Sequence, residues 1–373
     1  SFYSALGGYC LRYVVVNFGN LIGAEFGTNG VGGADVFQGL LSQPDVSIAF
    51  ALAFMLITML VVMSGVGGGI ERVCSVGMPA LFFILIICII RSCTLPGAAD
   101  GLKYMFVPGW AVANGIIDEA AGGQMFFSLS LGAGVMITYG SYLDKKQDLG
   151  KSAMIIVGMD TVVALMAGLC VIPGRFALDP NGALGGPELL FITMQNVFDK
   201  MGPAGPVFGI LFYLLVFFAA ISSSISMLEV IVAHFCDKAR EKGKGDRRKL
   251  YSAIAVVICA ALCALVCADG MGSNHISPAE LLGLAGAKLP GWSTSWLGLF
   301  DSVAEGLLMP LGALLMCLMI SWELKPDTLR QEILLNGENR PWVYDFFRLC
   351  VKYITPLCML MILYGQISDF FIV

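Results

Sequence analysis

Apolar runs alternate with short polar stretches from one end of the chain to the other, and within each run the apolar positions are continuous rather than striped. A helix needs about 20 apolar residues to cross the hydrocarbon core of a bilayer. Nine blocks meet that demand, at residues 1–24, 47–68, 73–95, 111–143, 152–173, 204–236, 250–269, 296–322 and 344–368. The pattern predicts an all-α, polytopic membrane protein with about nine transmembrane helices in one domain over residues 1–373. Blocks 111–143 and 204–236 exceed one bilayer thickness, so their helices must tilt, break or protrude. The opening run Ser1-Phe2-Tyr3-Ser4-Ala5-Leu6-Gly7-Gly8 has no charged leader and no cleavage site, so it does not read as a signal peptide. It reads as the interior of a helix, in a chain incomplete at its N-terminus.

Charge orients the spans. Of the 22 Lys and Arg residues, sixteen fall in or beside alternate loops, beginning with the loop after the second span, and four (Lys103, Arg175, Lys200 and Lys288) fall in the opposite loops. Arg12 and Arg91 lie within spans. Cytoplasmic loops are the Lys/Arg-rich ones, so the first span runs outward in a multi-pass membrane protein. In the outer loop 174–203, Glu188–Met194 reads as a short helix, either part of a lid or an ordered surface element.

Composition narrows the function. The chain is 57% hydrophobic and 13% charged, with mean hydropathy +0.82, against about a quarter charged in soluble domains. A net charge of −5 offers no basic surface for nucleic acid. The 12 cysteines lie in apolar blocks, and Cys259, Cys263 and Cys267 share a helix face as small packing residues rather than as metal ligands. His234 and His275 have no nucleophile at a recognisable spacing, so the chain does not read as an enzyme.

Three polar features lie at bilayer depth. Gln124-Met125-Phe126-Phe127-Ser128-Leu129-Ser130-Leu131-Gly132-Ala133-Gly134 places two serines and two glycines inside an overlong span. It fits a helix break that frees carbonyls for a cation and a half-helix N-terminus for a carboxylate. It also fits an intact, closely packed helix. Ser222-Ser223-Ser224 with Ser226 offers hard oxygen ligands suited to an alkali cation, although serines also bond back to their own helix. Asp160 is an intramembrane carboxylate, a functional group by default, whose expected partner is a bound cation. Glu229 lies nearer the cytoplasmic end, as a structural residue.

Together these segments resemble the neurotransmitter:sodium symporter family, in its prokaryotic amino-acid-transporting branch. The resemblance rests on Tyr3-Ser4-Ala5-Leu6-Gly7-Gly8, Gly69-Ile70-Glu71-Arg72-Val73, Met78-Pro79-Ala80-Leu81-Phe82, Gln124 to Gly134, Thr138-Tyr139-Gly140-Ser141-Tyr142, Phe217 to Ser226 and Tyr353-Ile354-Thr355-Pro356, in family order. It implies a place in the plasma (inner) membrane and the inverted-repeat, leucine-transporter-like fold, with the first span here equivalent to the family's third and two earlier helices absent.

The resemblance further implies roles. Tyr3 would meet the substrate carboxylate, with Phe127, Ser130, Ala133, Ser223 and Met227 lining the substrate pocket. Ser128 and Asp160 would serve a first sodium ion, and Ala219, Ser222 and Ser223 a second. Gln124 and Asp301 would belong to the outer gate, Tyr142 and Asp237 to the inner. Asp160 stands where many members have Asn, and Ala164 where others have Ser or Glu, so chloride is not expected to be required and no organic cofactor is implied. Ala133 replaces a common aromatic, which enlarges the pocket toward apolar or aromatic amino acids. The reading is sodium-coupled amino-acid symport by alternating access. The alternatives are a truncated, non-transporting remnant of the same fold and a sodium-independent exchanger.

Overall fold

The computed structural model describes all residues except 1, 29, 108–123, 126, 145, 183–184, 246, 284–290, 335–340 and 372–373. Every regular element among the described residues is helical. Seven helices are long and apolar enough to cross a membrane: Pro44–Met63, Val66–Cys93, Leu149–Leu178, Gly202–Glu241, Arg248–Asp269, Trp296–Glu323 and Trp342–Ser368. Each coincides with an apolar block read from the sequence. The first block is also one helix, Phe2–Ile22. It is less apolar because ten of its 21 residues are buried in protein, among them Ser4, Asn17 and three glycines. Of the fourth block, 111–123 lies outside the described residues.

The chain forms two compact units that interleave in sequence. The first comprises Ser1–Gly109, Ala164–Gly283 and Ser295–Leu297; the second comprises Trp110–Val163, Leu284–Thr294 and Gly298–Val373. In the first unit, helix Gly205–Glu241 packs against Phe2–Ile22, Pro44–Met63, Glu71–Cys93 and Arg248–Asp269. Lipid is as apolar as leucine, so helices in a bilayer associate through close packing and polar contacts rather than by escaping solvent. Gly8 shows the device. A Cβ at that position would lie 2.6 Å from the Ala51 backbone nitrogen, so only glycine lets these two helices touch backbone to backbone.

An aromatic cluster closes the first unit. Tyr9, Tyr13, Phe37, Phe191, Phe198, Phe212 and Tyr213 are all buried, with the rings of Tyr13 and Tyr213 4.9 Å apart and those of Phe37 and Phe191 stacked at 5.5 Å. The fully buried Asn17 donates from Nδ2 to the Tyr13 carbonyl at 3.0 Å and to Gln195 Oε1 at 2.9 Å. Gln195 Nε2 donates in turn to Asp199 at 2.9 Å.

Two expectations about the outer side change. The short helix expected at Glu188–Met194 is present, as a wide turn over Leu189–Thr193 that continues into helix Met194–Lys200. Phe191, Met194, Gln195, Val197 and Phe198 are buried in the aromatic cluster, so the segment is core rather than a lid. Arg175 was expected in a loop. Helix Leu149–Leu178 runs past Pro173 and includes it, and its buried guanidinium donates from Nη2 to the Gly182 carbonyl at 2.6 Å. The two intramembrane arginines are accommodated by aromatic faces, Arg12 over Phe50 at 5.8 Å and Arg91 over Phe208 at 5.9 Å.

Candidate functional site

In the second unit, the Gln124–Gly134 segment is a broken helix. Residues 124, 125, 127 and 128 are helical, the regular pattern stops at Leu129, and a new helix starts at Val135–Gly140. Ser130 has φ 52°, Gly132 φ 78° and Gly134 φ 79°, all in the left-handed region. That region is open to glycine and costs other residues about 1–3 kcal/mol. The break is held from outside, because a Cβ on Gly132 would collide with the Met309 carbonyl, and one on Gly312 would lie 2.7 Å from the Gly132 carbonyl oxygen. Gly132→Ala is therefore expected to lower thermal stability by more than the backbone strain alone; a melting temperature in detergent equal to wild type would remove this role.

The break brings a predicted pair together. Ser128 Oγ donates to Asp160 Oδ1 at 2.6 Å, across 32 residues of chain. Asp160 comes from helix Leu149–Leu178 and is half-buried. A carboxylate and a hydroxyl side by side are hard oxygen donors, the chemistry an alkali cation selects over thiol or imidazole. Phe127 and Ser130 are half-buried near the same break, while Ala133 and Gln124 are exposed.

In the first unit the serine cluster divides by hydrogen-bond partner. Ser222 Oγ donates to the Ala219 carbonyl at 2.9 Å, Ser223 Oγ to the same carbonyl at 3.3 Å, and Ser226 Oγ to the Ser222 carbonyl at 3.1 Å. These hydroxyl protons point into their own helix, as serines in helices commonly do. Ser224 differs, since its hydroxyl lies 3.1 Å from that of Thr58 on the neighbouring Pro44–Met63 helix. A cavity of about 140 Å³ opens beside them, and Tyr3 and Met227 both line it, with Thr58 and Ser224. Ser224 rather than Ser223 faces that cavity.

The remaining expected gate residues are placed as follows. Asp301 hydrogen-bonds through its side chain to Glu305, one turn on in the same helix. Asp237 is exposed and pairs with Arg240 at 3.7 Å. Tyr142 is exposed, with its ring 6.2 Å from that of Tyr139. Sequence reasoning missed an ion pair between the fully buried Glu229 and Arg248, whose Nε also donates to the Val62 carbonyl at 2.8 Å. The signal was available: a carboxylate inside an apolar helix, and a basic run at 247–249 opening the next one.

A helix broken inside an apolar block, with a carboxylate–hydroxyl pair at the break, fits the discontinuous helices of ion-coupled transporters. The model of the sodium:neurotransmitter symporter family matches residues 35–371. The chain belongs to that family. Symporter relatives include an uncharacterized sodium-dependent transporter of Bacillus subtilis (YhdH), 36% identical over 376 residues, covering 99% of this chain and 76% of that protein. A sodium-dependent nutrient amino acid transporter of Drosophila melanogaster is 29% identical over 220 residues, 55% of this chain and 33% of that one. Among solved structures, MhsT in complex with L-phenylalanine superposes with a TM-score of 0.79 at 31% identity, covering 98% of this chain and 77% of that chain. The symporter family consists of transporters rather than enzymes, and this multi-pass chain is one of its membrane proteins.

Proposed function

We propose that the protein couples the downhill entry of sodium to uptake of an apolar or aromatic amino acid, within one transmembrane domain. The observation that carries this reading is the Ser128–Asp160 hydrogen bond at the helix break. It is supported by relatives named as sodium-dependent and by a structural neighbour solved with phenylalanine. In this reading Ser128 and Asp160 hold one sodium ion, with Ala219, Ser222 and Ser223 at a second. Tyr3 takes the substrate carboxylate, with Met227 beside it on the same cavity. Gln124, Asp301, Tyr142 and Asp237 act at the gates.

Sodium would stabilise the substrate-binding conformation because only that state assembles its oxygen ligands. Asp160 supplies the counter-charge that a mobile anion would otherwise provide, which makes transport chloride-independent. The test is binding of radiolabelled phenylalanine, tyrosine and leucine by the natively expressed protein, in sodium against potassium. Binding should rise at least tenfold in sodium and stay unchanged when gluconate replaces chloride. Sodium-independent binding would overturn the coupling, and stronger competition by glycine than by phenylalanine would overturn the substrate class.

A further inference from the structure

At one end of the second unit, between helices Trp296–Glu323 and Trp342–Ser368, lies a small cleft with an amphiphilic lining. Its walls include Leu324, Leu329 and Phe347, and its polar groups include Arg348 and Lys352. The two cations are four residues apart, so they project from one face of their helix. Neither is ion-paired among the described residues. The cleft is braced rather than collapsed: Tyr344 donates its hydroxyl to the Pro326 carbonyl at 3.3 Å, and Ser321 Oγ donates to the Val351 carbonyl at 3.2 Å.

Two further observations place this cleft in depth. The loop between the two helices belongs to the basic set, which marks the cytoplasmic face. Around the same end, Trp322 is 60% exposed, Trp342 61% and Tyr353 59%. Tryptophan and tyrosine concentrate where hydrocarbon meets headgroups, so their presence at this level sets the cleft at headgroup depth. A site there with two unpaired cations over an apolar floor matches a molecule that is anionic at one end and hydrocarbon at the other. Basic pockets between transmembrane helices on the cytoplasmic side take anionic lipid headgroups.

We propose that this cleft is a binding site for an anionic phospholipid of the inner leaflet, with Arg348 and Lys352 on the phosphodiester and the first acyl carbons over Leu324, Leu329 and Phe347. The charges nearby limit the class. Glu323, Asp327 and Asp345 flank the cleft without lining it, as do Lys325 and Arg330, so the flanks add no net positive charge to the lining pair and suit a single phosphodiester. The site is independent of the sodium and amino-acid reading, since none of its residues belongs to those sites.

The test is native mass spectrometry of the whole protein released from nanodiscs of phosphatidylcholine alone and of phosphatidylcholine with phosphatidylglycerol. Wild type should retain one phosphatidylglycerol in preference to phosphatidylcholine. With each cation near an anionic headgroup contributing about fivefold, the Arg348→Gln/Lys352→Gln variant should lose that preference by about 25-fold. Equal retention of the two lipids by wild type would overturn the proposal, as would an unchanged preference in the double variant. Displacement of the retained lipid by 10 mM inorganic phosphate, a concentration on the order of weak single-anion affinities, would show a soluble-anion site instead. Should the double variant not fold, phosphatidylglycerol titrated into wild type in detergent decides the matter: a saturable rise in melting temperature that phosphatidylcholine does not reproduce is expected, and no such rise would overturn the site.

Discussion

Asp160→Asn is expected to lower the apparent sodium affinity of amino-acid binding by at least tenfold and to make the remaining binding chloride-stimulated. The carboxylate and the Ser128 hydroxyl form one oxygen pair at 2.6 Å. Removing the carboxylate charge takes away the largest attraction available to a monovalent cation there. Two unit charges about 4 Å apart interact by about 4 kcal/mol at an effective dielectric constant of about 20. Asparagine keeps an oxygen ligand and recovers part of that, which leaves a deficit of more than the roughly 1.4 kcal/mol that corresponds to tenfold. A neutral site can regain attraction by admitting a mobile anion beside the cation, hence the appearance of chloride stimulation. Ser128→Ala keeps the charge and removes one neutral ligand, so its effect should be smaller, by about 1 kcal/mol. Sodium titrations of labelled amino-acid binding, in chloride and in gluconate, separate these outcomes. An Asp160→Asn protein with wild-type sodium affinity would show that the ion is held elsewhere.

The reason this pair could be anticipated is local. Asp160 stands out in an apolar run, and the Gly and Ser residues around Ser130 contradict an uninterrupted span, so each signal sits within a dozen residues of sequence. The same holds for the spans, since length and apolarity are properties of a block by itself. Seven blocks became membrane-length helices, and the first became a helix whose Ser4 and Asn17 are buried in protein. What was not legible depends on which elements meet. The 186–200 segment reads as a surface element because it lies in the loop 174–203, which five glycines and three prolines punctuate. Its burial follows from Phe191 inserting among Tyr9, Tyr13 and Phe37. The serine run offered four equivalent hydroxyls, and only the neighbouring Thr58 distinguishes Ser224 from the others. Arg248 was counted with a basic loop because nothing within its own segment shows that a carboxylate 19 residues earlier would be beside it.

That pairing leads to the largest expected effect on stability. Glu229 is fully buried, and Arg248 lies against it as its ion-pair partner. Arg248 also satisfies the Val62 carbonyl at the end of helix Pro44–Met63, and so fastens three helices at the cytoplasmic side of the first unit. Removing one partner of a buried ion pair leaves the other uncompensated, at a cost of about 3–5 kcal/mol. Arg248→Met is therefore expected to destabilise the protein strongly, by an amount near the upper part of that range because the Val62 carbonyl loses its donor as well. Glu229→Met should cost somewhat less, since it removes the carboxylate facing the guanidinium while the bond to the Val62 carbonyl remains. The double variant discriminates between a charge effect and a packing effect. Replacing both ions by apolar side chains of similar volume removes the desolvation penalty together with the attraction, and buried pairs treated this way are often neutral. The double variant should then recover most of what either single variant loses, short of about 1 kcal/mol for the unmet Val62 carbonyl. Denaturation in mixed micelles, followed by helix content, measures all four proteins on one scale. Additive losses in the double variant would mean that the two residues act through separate contacts, and that the pair is not what joins these helices.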